Sequence, residues 1–371
     1  MWTLLAWIAA SIWLVVLLLP WRPWSTREQL DSRGPARDVV LDDVTVLIPA
    51  RNEDSHIDDT LSALEIQGRD LSIIVVDDQS SDATAERVLE NENRQLQLVR
   101  GRELPAGWCG KLWAMEQGRQ YINTRLVLLL DADIALMPGT IYALRSKLRR
   151  ENVQLVSLLA CLDMQGVWAR VLMPAFVYFF KLLYPFHLSN STFPYVAAAA
   201  GGCILMETRV LDAIGGFVPL RDALIDDCAL ARRVKAHGYR TWTGLTHSAC
   251  SLRRNDSLDV IWQMVTRTAF TQLGYSVVLL LVVTVIMIVV FLCPVVALFS
   301  GQSGVFFAAL LAIFTMTAGY LPVLRYYGLP PGWALSMPLT GMLFLLMTWS
   351  SALAYWRGTR SRWKERTYHV G

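Results

Sequence analysis

The chain has 371 residues, enough for one large or two ordinary domains, and it is 54% hydrophobic but only 18% charged, below the roughly 25% charged residues of ordinary soluble domains. Its net charge of +3, with no basic patch interleaved with aromatic residues, argues against nucleic-acid binding. The six cysteines form no Cys-x-x-Cys pair, which argues for reduced thiols and against a structural zinc site.

Four uncharged stretches are long enough to cross a membrane as helices, because about 18 or more apolar residues span roughly 30 Å of hydrocarbon. They lie at 2–19 and within 277–299, 304–324 and 333–356. The first lacks the basic start and small-residue cleavage site of a signal peptide, so residues 1–20 are predicted to form an uncleaved membrane anchor. We expect about three transmembrane helices within 276–356 and an integral membrane protein.

Basic residues predict how the chain is oriented. The arginines of the polar linker 21–43 are Arg22, Arg27, Arg33 and Arg37. By the positive-inside rule they place the following domain in the cytoplasm, on the inner face of the cell inner membrane. Three further crossings would leave the C-terminus outside, yet the tail 357–371 is strongly basic and prefers the cytoplasm. Its charged residues are Arg357, Arg360, Arg362, Lys364 and Arg366, with Glu365 as the one acid. Either one C-terminal segment is re-entrant or the tail breaks the rule.

Short apolar strands alternate with helices after the linker. Strands are predicted at 44–49, 71–76, 96–99 and 126–130, with helices near 57–64, 83–93 and 111–121 between them. Strands that alternate with helices of about 10 to 15 residues favour an α/β domain with a parallel sheet and right-handed crossovers.

Acidic residues close three of these strands. Glu53 follows the first, Asp77 and Asp78 end the second, and Asp131 and Asp133 follow the fourth. Open α/β sheets bind ligands at the carboxyl ends of their strands, and the two carboxylates of Asp-x-Asp can hold one hard cation. A lone Asp-x-Asp is more often an Asp-rich turn. The absence of Gly-x-Gly-x-x-Gly and of a Walker lysine loop argues against a dinucleotide or P-loop site.

Two stretches are predicted to lie in the membrane interface. Residues 167–186 are apolar and aromatic but contain Arg170, Lys181 and two prolines. A helix that crossed the membrane here would separate Asp131 from the acidic pair described next, so we favour an interfacial helix with its aromatic face in the headgroups. This helix indicates a lipid acceptor. The amphipathic stretch 251–275 is predicted to be a second interfacial helix.

The second acidic pair follows a glycine-containing strand. Residues 197–206 are predicted to be a strand in which Gly201 and Gly202 let a backbone come close to another group. Asp226 and Asp227 open a helix that ends near residue 238, where the macrodipole favours anions. In isolation they are readily explained as N-capping carboxylates.

Taken together, these motifs resemble the family 2 glycosyltransferases, whose GT-A fold is Rossmann-like and binds a nucleotide sugar. The resemblance covers about residues 44–275. It rests on IPARNE (48–53), VVDDQSSDAT (75–84), GWCGKLWAMEQG (107–118), LLLDADI (128–134), GGCILMETRVLDAIGGF (201–217) and DDCALARRVKAHGYR (226–240). Residues 262–273 and the plan of four membrane segments are most similar to the hopene-associated glycosyltransferases of hopanoid gene clusters. A more distant resemblance is to ceramide glucosyltransferases.

The resemblance implies a metal-dependent, membrane-bound enzyme with a GT-A catalytic domain at 44–250. It would move a single sugar from a nucleotide-sugar donor to a lipid hydroxyl with inversion. The donor-binding residues that it implies are Pro49, Arg51, Glu53, Asp78, Lys111, Asp131 and Arg267. Asp131 and Asp133 would hold Mg²⁺ or Mn²⁺ to neutralise the leaving diphosphate, and Asp227 would be the general base for the acceptor hydroxyl.

Two departures from the family pattern leave alternatives open. Many members have Glu-Asp where this chain has Asp226 and Asp227. Many lipid-linked and processive members have Gln-x-x-Arg-Trp, whereas Gln263 is followed here by Arg267 and Thr268, which argues against processive polymerisation. Arg267 is as readily explained as a basic residue of an interfacial helix. Sugar transfer to a polyprenyl phosphate and an inactive transferase fold that serves as a membrane scaffold are the competing functions.

Overall fold

The computed structural model describes residues 2–34, 38–363 and 366–369, so Arg37, Lys364 and Glu365 of the topology argument lie outside the described residues. The chain forms two compact units. The sheet unit comprises Glu28–Asp163 and Phe186–Arg254, and the helical unit comprises Met1–Arg27, Met164–Pro185 and Asn255–Gly371.

The strands in chain order are β1 (Val44–Ala50), β2 (Ser72–Asp77), β3 (Leu96–Arg100), β4 (Leu126–Leu130), β5 (Ile134–Leu136), β6 (Leu155–Cys161), β7 (Cys203–Glu207), β8 (Thr241–Ser251), β9 (Thr359–Trp363) and β10 (Arg366–His369). The helices are α1 (Trp2–Leu18), α2 (Ile57–Glu65), α3 (Thr84–Glu90), α4 (Gly110–Arg119), α5 (Thr140–Glu151), α6 (Val167–Leu183), α7 (Phe186–Ser189), α8 (Thr208–Ala213), α9 (Asp226–Ala236), α10 (Leu258–Thr266), α11 (Ala269–Gln272), α12 (Val277–Met287), α13 (Cys293–Ala297), α14 (Ser303–Tyr326) and α15 (Met337–Trp356). A π turn at Ile288–Leu292 joins α12 to α13, and 3₁₀ turns lie at Val218–Leu220 and Pro331–Ser336.

The sheet unit is built on a mixed sheet with the strand order β3-β2-β1-β4-β7-β6-β8-β5. The first four strands are parallel, which confirms the predicted arrangement of this half. The sheet as a whole is mixed, because β7 is antiparallel to β4 and β6 and β5 is antiparallel to β8. Strand β5 follows the carboxyl end of β4 after a short turn, so it has no crossover helix that could return it in parallel.

The core explains why the first strands were readable from sequence. Every residue of β1 and β4 is buried, and continuous apolar runs are typical of parallel strands that are covered on both faces. The apolar residues predicted at helical spacing in α2, Ile57, Leu61 and Leu64, all lie in the same buried cluster as Val46 of β1.

Two predicted elements differ in the structure. The strand predicted at 197–206 begins only at Cys203, because the amides of Ala198 and Ala200 donate to the hydroxyls of Ser189 and Ser157 instead of to a neighbouring strand. The predicted linker is also ordered in part: Leu30 and Leu245 of β8 are joined by a backbone hydrogen bond of 3.0 Å, and Leu41 is fully buried.

The single helix predicted within 251–275 is two short helices, α10 and α11. The hydroxyl of Ser351 in α15 lies at the break. It accepts from the amide of Phe270 at 3.1 Å and donates to the carbonyl of Thr266 at 2.6 Å. These two backbone groups would bond to each other in a continuous helix, so the inserted hydroxyl interrupts the helical hydrogen-bond ladder.

Among its described residues, the helical unit contains three helical segments that are long and apolar enough to cross a membrane. They are Val277–Ala297, Ser303–Tyr326 and Pro331–Trp356, and α1 is a shorter apolar helix of 17 residues. Tyr178 of α6 packs edge-on against Tyr320 of α14, and Phe179 packs against Phe344 of α15. These two rings pack against other helices of the unit, and the placement of α6 in a membrane interface stays a prediction.

Candidate functional site

Parallel pairing brings the ends of β2, β1 and β4 to one edge of the sheet, which we call the carboxyl edge. Pro49 lies buried near the end of β1, opposite Val76 of β2. Arg51 donates through Nη1 to the carbonyls of Asp78 and Gln79, the latter at 2.9 Å, and Asp78 is fully buried. The structure thus brings together three of the predicted donor-binding residues, Pro49, Arg51 and Asp78.

Asp131 and Asp133 lie in a turn between β4 and β5, and three hydrogen bonds from other parts of the chain hold the backbone of this turn. The amide of Asp131 donates to the carbonyl of Gly202 at 3.1 Å, and the amide of Leu252 donates to the carbonyl of Asp133 at 2.8 Å. The hydroxyl of Thr60 donates to the carbonyl of Ala132 at 2.8 Å. The two carboxylates are therefore presented by a rigid turn, as the predicted strand end requires.

Lys111 joins the two acidic pairs that the sequence placed nearly 100 residues apart. Its Nζ lies 2.6 Å from Oδ1 of Asp131 and 3.5 Å from Oδ2 of Asp226. Burial lowers the pKa of this ammonium, but attraction to Asp131 and Asp226 outweighs burial and raises the pKa above its ordinary value. Lys111 is therefore a permanent cation, lining a pocket together with Gly201, Asp226 and Asp227.

Gly201 and Gly202 lie in close contact with neighbouring side chains, as predicted for these glycines. A Cβ at Gly201 would lie 3.1 Å from Nζ of Lys111 and 3.5 Å from Oδ2 of Asp227. A Cβ at Gly202 would lie 3.2 Å from the side chain of Ile134. The close approach at Gly201 is what lets its amide reach the carboxylate of Asp227.

Asp227 is the second residue of α9. Its Oδ2 accepts from the amide of Gly201 at 2.8 Å, and its Oδ1 accepts from the amide of Cys228 at 2.6 Å. Burial, and next the negative charge of Asp226, raise the pKa of Asp227 to about 6 despite these amides and Lys111. A carboxylate with a pKa close to neutral pH is suited to accept a proton as a general base.

Arg253 is the site residue that the sequence interpretation missed. It follows β8, whose carboxyl end lies at the same edge of the sheet because β8 is parallel to β6. Its Nη2 lies 2.7 Å from Oε1 of Glu53, and its Nε donates to Oδ2 of Asp133. Glu53 and Asp133, predicted for donor and metal binding, are thus joined by one guanidinium. Arg267, the remaining predicted donor-binding residue, lies in the helical unit at the end of α10, and its role stays a prediction.

The acidic pair of the Asp-x-Asp turn has the donor chemistry of a Mg²⁺ or Mn²⁺ site. Both ions prefer oxygen ligands, and Mg²⁺ is commonly held by one or two carboxylates plus substrate phosphates and water. Within the described part of the chain, no group of three or more His, Cys, Asp or Glu side chains could hold a metal ion. Asp131 and Asp133 therefore fit an ion that is completed by a ligand, provided that Lys111 and Arg253 release them.

Comparison with known proteins identifies the family. The sequence profile described as "Glycosyltransferase like family 2" matches residues 42–271, more than half of the chain. The chain belongs to this family. Its mixed sheet, with the acidic turn at the carboxyl edge, is a GT-A fold.

Two relatives illustrate the breadth of this membership. The transferase is 32% identical over 93 residues to a 4,4'-diaponeurosporenoate glycosyltransferase of Staphylococcus haemolyticus (strain JCSC1435), a match that covers 25% of this chain and 24% of that protein. It is also similar to a mannosyltransferase from Pyrobaculum calidifontis, solved in complex with GDP-Man and Mn²⁺, with a TM-score of 0.56 and 18% identity. That match covers 95% of this chain and 98% of the other, and at this identity it establishes the fold.

Proposed function

We propose that this transferase moves a single sugar from a nucleotide-sugar donor to the hydroxyl of a membrane lipid, with inversion at the anomeric carbon. The observation that carries the proposal is the cluster at the carboxyl edge. There Lys111 contacts both Asp131 and Asp226, and Asp227 lies in the same pocket with its pKa raised to about 6. The cluster thus holds a candidate base beside groups suited to a diphosphate.

Each group of the cluster has one task in this proposal. The oxygen of the acceptor hydroxyl attacks the anomeric carbon on the face opposite the leaving nucleoside diphosphate, and Asp227 takes the proton of that hydroxyl. Lys111 holds the negative charge that develops on that diphosphate. When bound by Asp131 and Asp133, Mg²⁺ or Mn²⁺ would neutralise the same charge as a Lewis acid. Since one displacement suffices, no covalent nucleophile is needed.

The remaining donor contacts come from the strand ends. We assign Pro49, Arg51, Glu53 and Asp78 to the nucleoside pocket, where the carboxylates accept from base N–H groups or ribose hydroxyls. The support is their common position at the carboxyl ends of β1 and β2, beside the Asp-x-Asp turn. Arg267 is proposed as a diphosphate contact on the strength of the family resemblance alone.

A lipid acceptor is supported by the composition of the helical unit. In the part of the chain that the structure describes, three segments are long and apolar enough to cross a membrane, and α6 adds apolar and aromatic surface to the same unit. A relative named for 4,4'-diaponeurosporenoate is consistent with an apolar acceptor. Residues 262–273, which resemble the hopene-associated enzymes, make hopanoids the first lipids to test. The linker arginines support a cytoplasmic catalytic domain on a multi-pass protein of the inner membrane.

The test is sugar transfer into lipid. Membranes containing the full-length protein are incubated with labelled nucleotide sugars, one at a time, with added hopanoid alcohol or polyprenyl phosphate, and the lipid extract is counted. We expect label in the neutral lipid, and a loss of about 10² to 10⁴-fold for Asp227→Asn, the range ascribed to general acid–base catalysis. The product should have the anomeric configuration opposite to that of the donor.

Asp58→Asn is the matched control, since Asp58 is half exposed in a surface ion pair with Arg87 and surface pairs contribute little. Its transfer rate should equal that of the wild type. If label enters only polyprenyl phosphate, the acceptor is that phosphate and the proposed lipid hydroxyl is wrong. Full transfer in the presence of a metal chelator would rule out the metal role. If a variant with Asn at positions 131, 133 and 227 still performs the function of the protein in the cell, the protein is better explained as an inactive membrane scaffold.

A further inference from the structure

Arg253 binds two carboxylates that the proposed function uses for other partners. Its Nε donates to Asp133, the proposed metal ligand, and its Nη2 to Glu53, a proposed nucleoside contact. The side chains of Asp133 and Glu53 are only 12% and 8% exposed, whereas that of Arg253 is 46% exposed. The guanidinium therefore covers buried anions from the solvent side of the site.

These carboxylates need a cation because buried charges are costly unless they are paired. Among the described residues, two cations pair with four carboxylates of this cluster: Lys111 contacts Asp131 and Asp226, and Arg253 contacts Glu53 and Asp133. Asp227 lies beside Asp226. Without either cation, the edge would hold an uncompensated cluster of negative charge. Asp131 and Asp133, where a metal ion would act, are thus each paired with a side-chain cation.

We propose that Arg253 is a donor-site residue that competes with the divalent metal for Asp133 and turns to the donor diphosphate once the metal has taken its place. This inference rests on the proposed function, since it requires the metal at Asp131 and Asp133. It goes beyond that function by giving the donor site a cation from the end of β8.

The guanidinium is suited to such an exchange because its two contacts use different nitrogens. The Nε contact to Asp133 can break while the Nη2 contact to Glu53 remains, so Arg253 stays anchored as it turns. A planar guanidinium pairs well with phosphate oxygens through two parallel N–H groups. A lysine at this position would have one ammonium and could not hold Glu53 and Asp133 in the same planar geometry.

The position of Arg253 is set by the backbone, which makes the exchange specific to this residue. The amide of Leu252 donates to the carbonyl of Asp133 at 2.8 Å, and Ser251 pairs with Ile134 of β5. The chain therefore leaves β8 directly beside the Asp-x-Asp turn. The next residue, Arg254, is also exposed but has no part in these contacts, and it offers a matched control.

The first measurement is Mn²⁺ binding to the full-length protein in nanodiscs without donor, followed by electron paramagnetic resonance of the free ion. Arg253→Ala removes the competing cation, so its Kd for Mn²⁺ should fall by about tenfold, since a hydrogen bond to a charged group contributes on this order. Arg253→Lys should also bind Mn²⁺ more tightly than the wild type, and it retains a positive charge if the alanine variant folds poorly. Arg254→Ala should leave Mn²⁺ binding unchanged.

The second measurement is the binding of UDP and of GDP at saturating Mn²⁺. For whichever of the two nucleotides the wild type binds, Arg253→Ala should raise the Kd by about tenfold, because a charge-assisted contact to the diphosphate is lost. Partner exchange predicts tighter binding of Mn²⁺ and weaker binding of the nucleotide in Arg253→Ala. A purely structural role of Arg253 predicts weaker binding of both. Mn²⁺ binding by Arg253→Ala and Arg253→Lys that equals the wild type, or is weaker, would overturn the proposal.

The controls separate this inference from the proposed function. A wild type that transfers sugar and binds Mn²⁺, together with Arg253 variants that behave like Arg254→Ala, would refute the exchange and leave the transferase mechanism intact. A wild type that transfers sugar without binding Mn²⁺ would refute both the metal role and the exchange. Mn²⁺ binding that tightens in Arg253→Ala and disappears in Asp133→Asn would support both.

Discussion

The two edges of the parallel strands shift the pKa of an aspartate in opposite directions. At the amino-terminal edge, Asp43 precedes β1 and lies within 2.8 to 3.3 Å of the guanidinium groups of Arg125, Arg145 and Arg149. Burial raises the pKa of such a carboxyl group, but hydrogen bonds from Arg125 and Arg145 outweigh burial and hold the pKa of Asp43 below its ordinary value. At the carboxyl edge, the pKa of Asp227 is raised to about 6.

The difference lies in the ratio of charges. One carboxylate at the amino-terminal edge is held by three arginines, whereas among the described residues of the carboxyl-edge cluster Lys111 and Arg253 pair with four carboxylates. An excess of cations around Asp43 fastens β1, β4 and α5 together. At the carboxyl edge, Lys111 and Arg253 are each shared by two carboxylates, so a further cation is attracted there. We infer that the first edge contributes to stability and the second to function.

Exchanging aspartate for asparagine at each edge gives the largest contrast. Asp133→Asn removes a proposed metal ligand. Transfer of labelled sugar should fall by at least about 10²-fold, since the loss of one catalytic charge contact costs on this order. The melting temperature should change little. Asp131→Asn should behave in the same way. Both rates are measured on the same membranes as in the lipid-transfer assay.

Asp43→Asn is expected to give the reverse. Three arginines would lose their counter-ion, and Arg145 is largely buried, so the free energy of unfolding should fall by about 1–3 kcal/mol. The apparent melting temperature should drop by several degrees while the transfer rate of the remaining folded protein is unchanged. A folded Asp43→Asn protein that has lost transfer would contradict the division between the two edges.

The same comparison shows which parts of the fold sequence reasoning could reach. Strands β1, β2 and β4 were predicted within a residue or two because their buried runs are continuous and apolar. Strand β8 was not predicted, because buried hydroxyl residues such as Thr246 and Ser248 interrupt its pattern. Thr246 and Ser248 are satisfied by Asp31, about 215 residues earlier in the chain, and no local pattern reveals such a partner.

The site shows the same limit. Asp131, Asp227 and Lys111 were named from motifs, but their closeness depends on a mixed sheet that the alternating pattern did not predict. Arg253 was missed because it follows β8, so the missed strand concealed the missed residue. The end of β8 became visible as part of the site only when its parallel pairing with β6 placed it at the carboxyl edge.

A methyl group at Gly201 should have a smaller effect than the loss of a ligand. The Cβ of Gly201→Ala would lie 3.1 Å from Nζ of Lys111, which would push the ammonium away from Asp131 and disturb the amide contact to Asp227. We expect transfer to fall by about tenfold, since displacement of a catalytic group by a fraction of an ångström has this kind of effect. Gly304→Ala, where a Cβ meets nothing within 4 Å, is the control and should retain the wild-type rate.

The pH dependence of transfer gives the smallest and most specific change. Asp227 must be ionised to accept a proton, and with a pKa of about 6 the rate should be constant above pH 7 and fall about tenfold for each unit below 6. The charge of Asp226 is the second cause of this raised pKa, after burial. Asp226→Asn should therefore move the acid limb of kcat/KM to lower pH, only part of the way to the ordinary aspartate pKa of about 3.9, because burial remains. Asp43→Asn changes a carboxylate at the other edge and should leave the limb where it is. An acid limb that does not move in Asp226→Asn would mean that the titrating base is a group other than Asp227.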